Sequence, residues 1–150
     1  VREGWDRVVI ASEPSFQPVR YVMEVGRRNR LYLSGSGACL VSGMDSEELE
    51  ALCLFMENDP PSKEYGLTKR VLLDRLEFIK SFGWGTAQGE WAAEAAGVAA
   101  PAYDKNGKVF AAIAIAMPKG RYNKENIEKY APAAIEAAKL IGEEFDAINR

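Results

Sequence analysis

The chain has no histidine and only two cysteines, Cys39 and Cys53. The first absence removes the commonest general base and the commonest metal ligand. The second leaves too little sulfur for a disulfide framework, which points to a reducing cytoplasm. Two cysteines fourteen positions apart do not supply zinc-ligand spacing either, so both are read as small helix-face hydrophobes. No run approaches the ~20 apolar residues of a membrane span, and no signal-peptide pattern opens the chain. A net charge of −3 gives no basic footprint for nucleic acid. Arg27, Arg28 and Arg30 form the one basic cluster and read as a solvated hairpin corner. There is no internal repeat and no low-complexity linker. At 150 residues the chain is one ordinary domain, long enough to bury a core.

What is present is a run of small residues. GWGTAQGEW (83–91) alternates so that Gly85, Ala87 and Gly89 share one side. GVAAPAY (97–103) places Gly97 and Ala99 together. KVFAAIAIAMP (108–118) sends Ala112, Ala114 and Ala116 one way and Val109, Ala111, Ile113, Ile115 and Met117 the other. The alternation follows from the period-2 geometry of a strand. Glycine in a strand often marks the close approach of a ligand or of another backbone. Two readings therefore stand: the bare faces cover a guest molecule, or they let an alanine-faced helix sit close.

The rest of the chain reads in order. A strand is under way at Val8–Ala11, so we expect Val1 to lie inside a longer protein. SEPSFQP (12–18) is turn chemistry, and VRYVMEV (19–25) alternates as a second strand. SGSGACLVSGM (34–44) reads as a small-residue loop entering a short helix. Asp45 with Glu48 makes a capping-box-like start for a helix with Leu49, Leu52, Cys53 and Met56 on one stripe, ended by NDPPS (58–62). Thr68 caps a longer helix carrying Leu72, Leu76, Ile79 and Phe82, with Gly83 as its terminal glycine. DKNGK (104–108) is a hairpin turn. Asn123 opens the last helical region, whose stripe is Ile127, Tyr130, Ala134, Ala138, Ile141 and Phe145, and Pro132 is read as a point that can divide it. The order β-β-α-α-β-β-β-α describes an α+β domain, a mixed or antiparallel central sheet flanked by helices.

An active site is not written in these residues. A nucleophile needs an adjacent base, and histidine is missing. SGSG (34–37) lacks the GxxxxGK[ST] of a phosphate loop. Glu90 and Glu94 could pair as carboxylates but read better as solvated charge. Trp84, Trp91 and Tyr103 are either core aromatics or the wall of a pocket.

Two stretches carry a resemblance. GRRNRLYLSGSGACLVSGMDSEELEAL (26–52) is similar to the segment GRRLPLHATALGKALLAFLPEEELEAL of the IclR family of bacterial transcriptional regulators. LEFIKSFGWGTAQGEWAAEAAGVAAPAYDKNGKVFAAIAIAMP (76–118) is similar to that family's ELxxIRxxGYAxDxEExxxGVxCVAAPVxDxxGxVxAAxSVSGP. The ending APAAIEAAKLIGEEF also resembles the family's last helix. The resemblance covers nearly the whole chain. It implies a C-terminal effector-binding domain of GAF-like fold, normally preceded by a winged helix-turn-helix, which is expected upstream of Val1.

It also implies where an effector lies. The loop after LPLH falls on Gly35 and Ser36, the aspartate after GYA on Ala87, and the cysteine before AAP on Gly97. The two hydroxyl positions before the terminal proline motif fall on Ala114 and Ala116, and the rim of the second strand falls near Pro18 and Tyr21. The family's polar groups are thus Ala or Gly here, its LPLH proline and histidine are Arg30 and Tyr32, its GK lysine is Ala38, and its loop glycine is Glu94. A site without those side chains discriminates weakly among polar acids. The expected effector is accordingly larger and more apolar, aromatic or acyl. Any carboxylate it carries is expected at the amides of Gly35–Ala38, with Ser34 and Ser36 assisting. No cofactor, no metal and no enzymatic activity are expected. The expected partners are the effector, further copies of the chain in a dimer or tetramer, and DNA only through the upstream domain. The rival is a ligand-free dimerisation or interaction module of the same fold.

Overall fold

Local capping sets the outline before any packing does. Asp45 accepts the Glu48 amide and starts a helix over Ser46–Asn58. Thr68 accepts from Val71 and starts Lys69–Phe82; Asn123 accepts from Asn126 and starts Lys124–Ile148. Each cap satisfies one amide that the helix itself leaves open. Gly83 closes the Lys69–Phe82 helix at φ 79°, a left-handed position that glycine takes at no steric cost.

The computed structural model describes residues 1–149. Its elements are β1 (Arg2–Glu3), β2 (Asp6–Val8), β3 (Arg28–Arg30), α1 (Ser34–Val41), α2 (Ser46–Asn58), α3 (Pro60–Glu64), α4 (Lys69–Phe82), β4 (Gly85–Gln88), β5 (Ala95–Tyr103), β6 (Val109–Pro118) and α5 (Lys124–Ile148). The strands form two antiparallel sheets, β1-β2-β3 and β4-β5-β6, rather than one. The α+β class is as the sequence implied.

Four sequence expectations are corrected. The strand near Val8 spans Asp6–Val8, and the stretch 19–25 is not a strand. Val19 and Val25 are 66% and 64% exposed. Alternation becomes a strand only where an edge is open and a face can be buried, and the free edge of β2 is taken by β3. Residues 10–25 instead form an excursion, closed at its base where the Val9 amide donates to the Arg27 carbonyl and the Gly26 amide to that of Val9. Second, the basic cluster is not a solvated corner: Arg28–Arg30 is β3 itself, and Arg30 donates to Asp59 at 2.7 Å and to Asp6 at 3.0 Å. Third, SGSG belongs to α1 rather than to a loop, and the prolines after α2 open the short α3.

Fourth, Pro132 does not divide α5, which runs through it as one helix. Proline removes one helical hydrogen bond, but the helix is held along its sheet side by Ala131, Ala134, Ala138 and Gly142. These small residues are the buried stripe. Ile141 and Phe145 lie at its margin, where Phe145 stacks on Phe110 with ring centres 4.1 Å apart.

The register explains why only small residues fit. Gly97 pairs with Ala87 and Ala116, and Ala99 with Gly85 and Ala114, so these six share one face of the second sheet. Val98, Ala100 and Ala102 share the other face with Ile115, Ile113 and Ala111. That second face packs on Ala134 and Ala138 of α5. The close-packed alanine helix is therefore real, but it lies on the face opposite the bare one. On the bare face, α1 rests on β4, and a Cβ added to Gly35 would stand 3.0 Å from the Thr86 backbone.

Gly142 gives the sharpest test of this closeness, since a side chain there would run into the Tyr103 carbonyl oxygen. Helix propensity alone favours Gly142→Ala by about 1 kcal/mol, whereas overpacking costs about 1–3 kcal/mol. We expect a net loss on urea denaturation. A gain in stability would mean that α5 does not sit on the sheet as described.

Candidate functional site

Beyond the end of α1 the bare face is not covered by a helix. A cleft opens there, lined by Ser34, Gly35 and Ser36 of α1, Gly97, Ala99, Ala114 and Ala116 of the sheet, and Arg7, Met23 and Trp91. It spans about 270 Å³ of atom-free space, open solvent included, and its enclosed part has room for little more than a water. The floor is bare because no side chain larger than methyl rises from it. The roof is Trp91 and Met23. The Trp91 ring lies over Gly97, its nearest atom 3.6 Å from where a Cβ would be, and Tyr21 meets that ring edge-on at 6.2 Å.

Trp91 is aimed by its neighbour. Glu90 is 8% exposed, not solvated as the sequence implied. Its carboxylate accepts the Ser34 amide at 2.8 Å and both guanidinium nitrogens of Arg75. A carboxylate at a helix N-terminus is favoured by the exposed amides and the helix dipole. Ser34 itself sits at φ 73°, in the left-handed region, and its Oγ accepts the Gly37 amide at 3.3 Å. A strained non-glycine residue of this kind persists where surrounding contacts over-determine it. Glu94, the other half of the supposed carboxylate pair, is exposed.

Arg7 forms the deep end. It is 4% exposed, and among the described residues its Nε has no partner, nor has the buried indole N–H of Trp91. With the Asn29 amide oriented to suit, Arg7 Nη2 donates to its oxygen at 3.1 Å. Burial pushes the Arg7 guanidinium down to about 10, with Arg27 acting in the same direction and Tyr21 against it. Arg27 reaches the Tyr21 hydroxyl and the Trp91 carbonyl, each at 3.5 Å.

Of the positions the sequence singled out, Gly35, Ser36, Gly97, Ala114 and Ala116 line this one cleft. Ala87 lies on the same face, buried next to Gly97 in register, but outside the lining. Tyr21 reaches it only through Trp91, and Pro18 is exposed on the excursion. Arg7 and Met23 carried no sequence signal, since β2 is too short to alternate and 19–25 is irregular. Trp91 is the wall aromatic; Trp84 instead joins Phe78 at 5.0 Å.

The polar side chains in the lining are Arg7, Ser34, Ser36 and Trp91. Cys39 is a buried residue of α1 itself, and burial pushes its thiol up to about 12 with the Gly85 backbone opposing, so it carries no thiolate at neutral pH. Among the described residues no three acidic or sulfur side chains converge as a metal site requires. The family histidine position, Tyr32, is fully buried and donates to Asp59 at 2.5 Å, alongside Arg30, away from the cleft.

Residues 1–143 match the family model described as the bacterial transcriptional regulator IclR C-terminal. The HTH-type transcriptional regulator KdgR of Escherichia coli strain K12 is 26% identical over 134 residues, 89% of this chain and 51% of that protein. The chain spans about half the length of the curated relatives it matches. Among solved structures, the Thermotoga maritima IclR superposes with a TM-score of 0.82 at 24% identity, covering 97% of this chain and 59% of that one. The Agobacterium tumefaciens repressor BlcR superposes with a TM-score of 0.79 at 24% identity, covering 97% and 58%. These two show the fold, the α+β architecture of such domains.

The Glu90 contact is open to direct measurement. Breaking a buried ion pair from one side costs roughly 3–5 kcal/mol, and Arg75 retains some solvent, so Glu90→Gln is expected to lose about 2–3 kcal/mol. Urea denaturation checks this. A change under about 0.5 kcal/mol, the range of an ordinary surface substitution, would contradict the role given to Glu90.

Proposed function

Because the chain belongs to the IclR C-terminal family of bacterial transcriptional regulators, we propose that it senses a small-molecule effector in the cleft over Gly97, Ala114 and Ala116. The observation that carries this reading is the bare floor. Three positions that the family resemblance marks for effector contact, Gly97, Ala114 and Ala116, form it, and two more, Gly35 and Ser36, stand at its edge on α1. Small-molecule sites usually enclose ~300–1,000 Å³, whereas the enclosed part of this cleft has room for little more than a water, so an aromatic or acyl body enters only by lifting the roof.

The roof is built for that. Met23 and Tyr21 belong to the excursion between β2 and β3, which is tied to the sheet mainly at its base. An effector that displaces Trp91 pushes on this segment, and through Arg27 and Val9 on the first sheet. In the full-length protein such a push would change how copies associate and how the DNA-binding part meets its operator. Its reach is bounded by the difference in effector affinity between the two arrangements.

A second reading has one observation in its favour: the enclosed room is narrow, because Trp91 already lies on Gly97. In that reading the cleft has closed and the domain serves association alone. Thermal-shift titration of glyoxylate and pyruvate against benzoate, phenylacetate and hexanoate separates the two. We expect shifts with the larger acids, lost in Ala114→Leu, whose side chain fills the cleft and, Ala114 being exposed, alters stability by only about 0.5 kcal/mol. Silence across the panel favours the second reading, and preference for glyoxylate contradicts the effector class.

Self-association belongs to both readings. Phe82, Leu140 and Ile148 are 61%, 51% and 80% exposed on α4 and α5, and apolar surface of this kind marks interaction faces. Light scattering is expected to give a dimer or tetramer; a monomer at high concentration would contradict this.

A further inference from the structure

Resting on the cleft reading above, we propose that Arg7 and the indole N–H of Trp91 form an anion-receiving end of the cleft. The effector is then an organic anion whose charge docks against β2, not at the start of α1.

Charge balance leads there. Arg30 and Arg75 each meet carboxylates, and both are more exposed than Arg7. Arg7, at 4% exposure, has none. Its charged neighbour is a second guanidinium, Arg27, and neither forms an ion pair among the described residues. Buried polar groups in folded proteins are nearly always paired, and a buried cation left unpaired is among the costliest exceptions. Guanidinium and indole groups can only donate. Two unpartnered buried donors, Arg7 Nε and Trp91 Nε1, belong to residues that line one cleft. What completes them must bring acceptors, and beside two guanidiniums it should bring negative charge. A water can satisfy one N–H but leaves the charge as it was.

The competing dock is taken. The sequence pointed to the α1 amides as the carboxylate receiver, but the Ser34 amide donates to Glu90, whose charge already occupies that helix start. A second carboxylate there would meet Glu90 across a short distance in a poorly solvated space, where like charges repel strongly. Arg7 lies on β2, in the other sheet from the floor. An anion held by it would set its apolar body on Gly97, Ala114 and Ala116 under Trp91. Such a ligand would also bridge β2 of the first sheet to the floor of the second.

The test uses isothermal titration of the chain with benzoate, phenylacetate and hexanoate, each against its neutral amide. Loss of a charge-assisted pair in a buried site discriminates strongly, so the wild type is expected to favour at least one acid over its amide by about tenfold or more. Arg7→Met is expected to bring acid and amide within roughly threefold, by weakening the acid, while leaving the unliganded protein as stable as wild type or more so. Arg7→Lys keeps the charge without the fork and should retain a reduced preference for the acid. Trp91→Phe keeps the ring, loses the N–H, and should weaken the acid more than the amide. Equal binding of acid and amide, or undiminished acid binding by Arg7→Met, overturns the anion end and leaves the cleft reading standing. Destabilisation of unliganded Arg7→Met would show Arg7 to be a structural member and overturns the inference as well. No binding by any acid or amide overturns the cleft reading and this inference with it.

Discussion

The distance between backbones governs this domain. On one face of β5 and β6 stand Gly97, Ala99, Ala114 and Ala116, and on the other Ala100, Ala102 and Ala111 meet α5, which presents Ala131, Ala134, Ala138 and Gly142. The helix thereby comes so near that Gly142 has the Tyr103 carbonyl oxygen where a side chain would stand. Close-packed interiors of this kind respond to a single added methyl. The same thinness on the opposite face lets α1 rest on β4 through Gly35 and Gly85, and leaves a hollow past the end of α1. One compositional device thus produces a tight contact on one face and a cleft on the other.

Two buried carboxylates tie neighbouring elements together. Asp59 gathers Arg30 and Tyr32 beneath α3, and Glu90 ties Arg75 of α4 to the first amide of α1. Buried carboxylates of this sort are costly unless every oxygen is satisfied, and both are satisfied by groups from separate elements. They act as fixed joints between α1, α3, α4 and the strands. Against these joints the excursion between β2 and β3 stands out, because it exposes Phe16, Val19 and Val25 and has few ties beyond its base. Local opening is drawn from such weakly packed segments. The floor of the cleft is backed by α5, whereas Met23 of its roof belongs to this weakly packed segment.

Several features were legible in the residues themselves. The caps at Asp45, Thr68 and Asn123 and the stop at Gly83 are short-range chemistry, decided within three or four residues, and they fall where the sequence placed them. The alternation of β4, β5 and β6 was legible for the same reason, and so was the small-residue floor of the cleft. The strand over 19–25 was misread because its pattern is genuine but unpartnered. Pro132 was misread as a possible break because propensity describes an isolated helix, not one clasped by a sheet. Glu90 was misread because its partners lie fifteen residues away at Arg75 and fifty-six away at Ser34.

The chain by itself determined its class, its capped helices, its family and the bare rows of the second sheet, since each rests on spacing within a segment or on motif identity. Tertiary structure alone decided which of the two sheet faces meets α5 and which stays open. It also decided that Trp91 roofs the opening, that Glu90 fills the helix start, and that Arg7 is enclosed without a counter-ion. Those outcomes depend on groups brought together from distant parts of the chain, where burial and electrostatics act through space and leave no trace in local pattern.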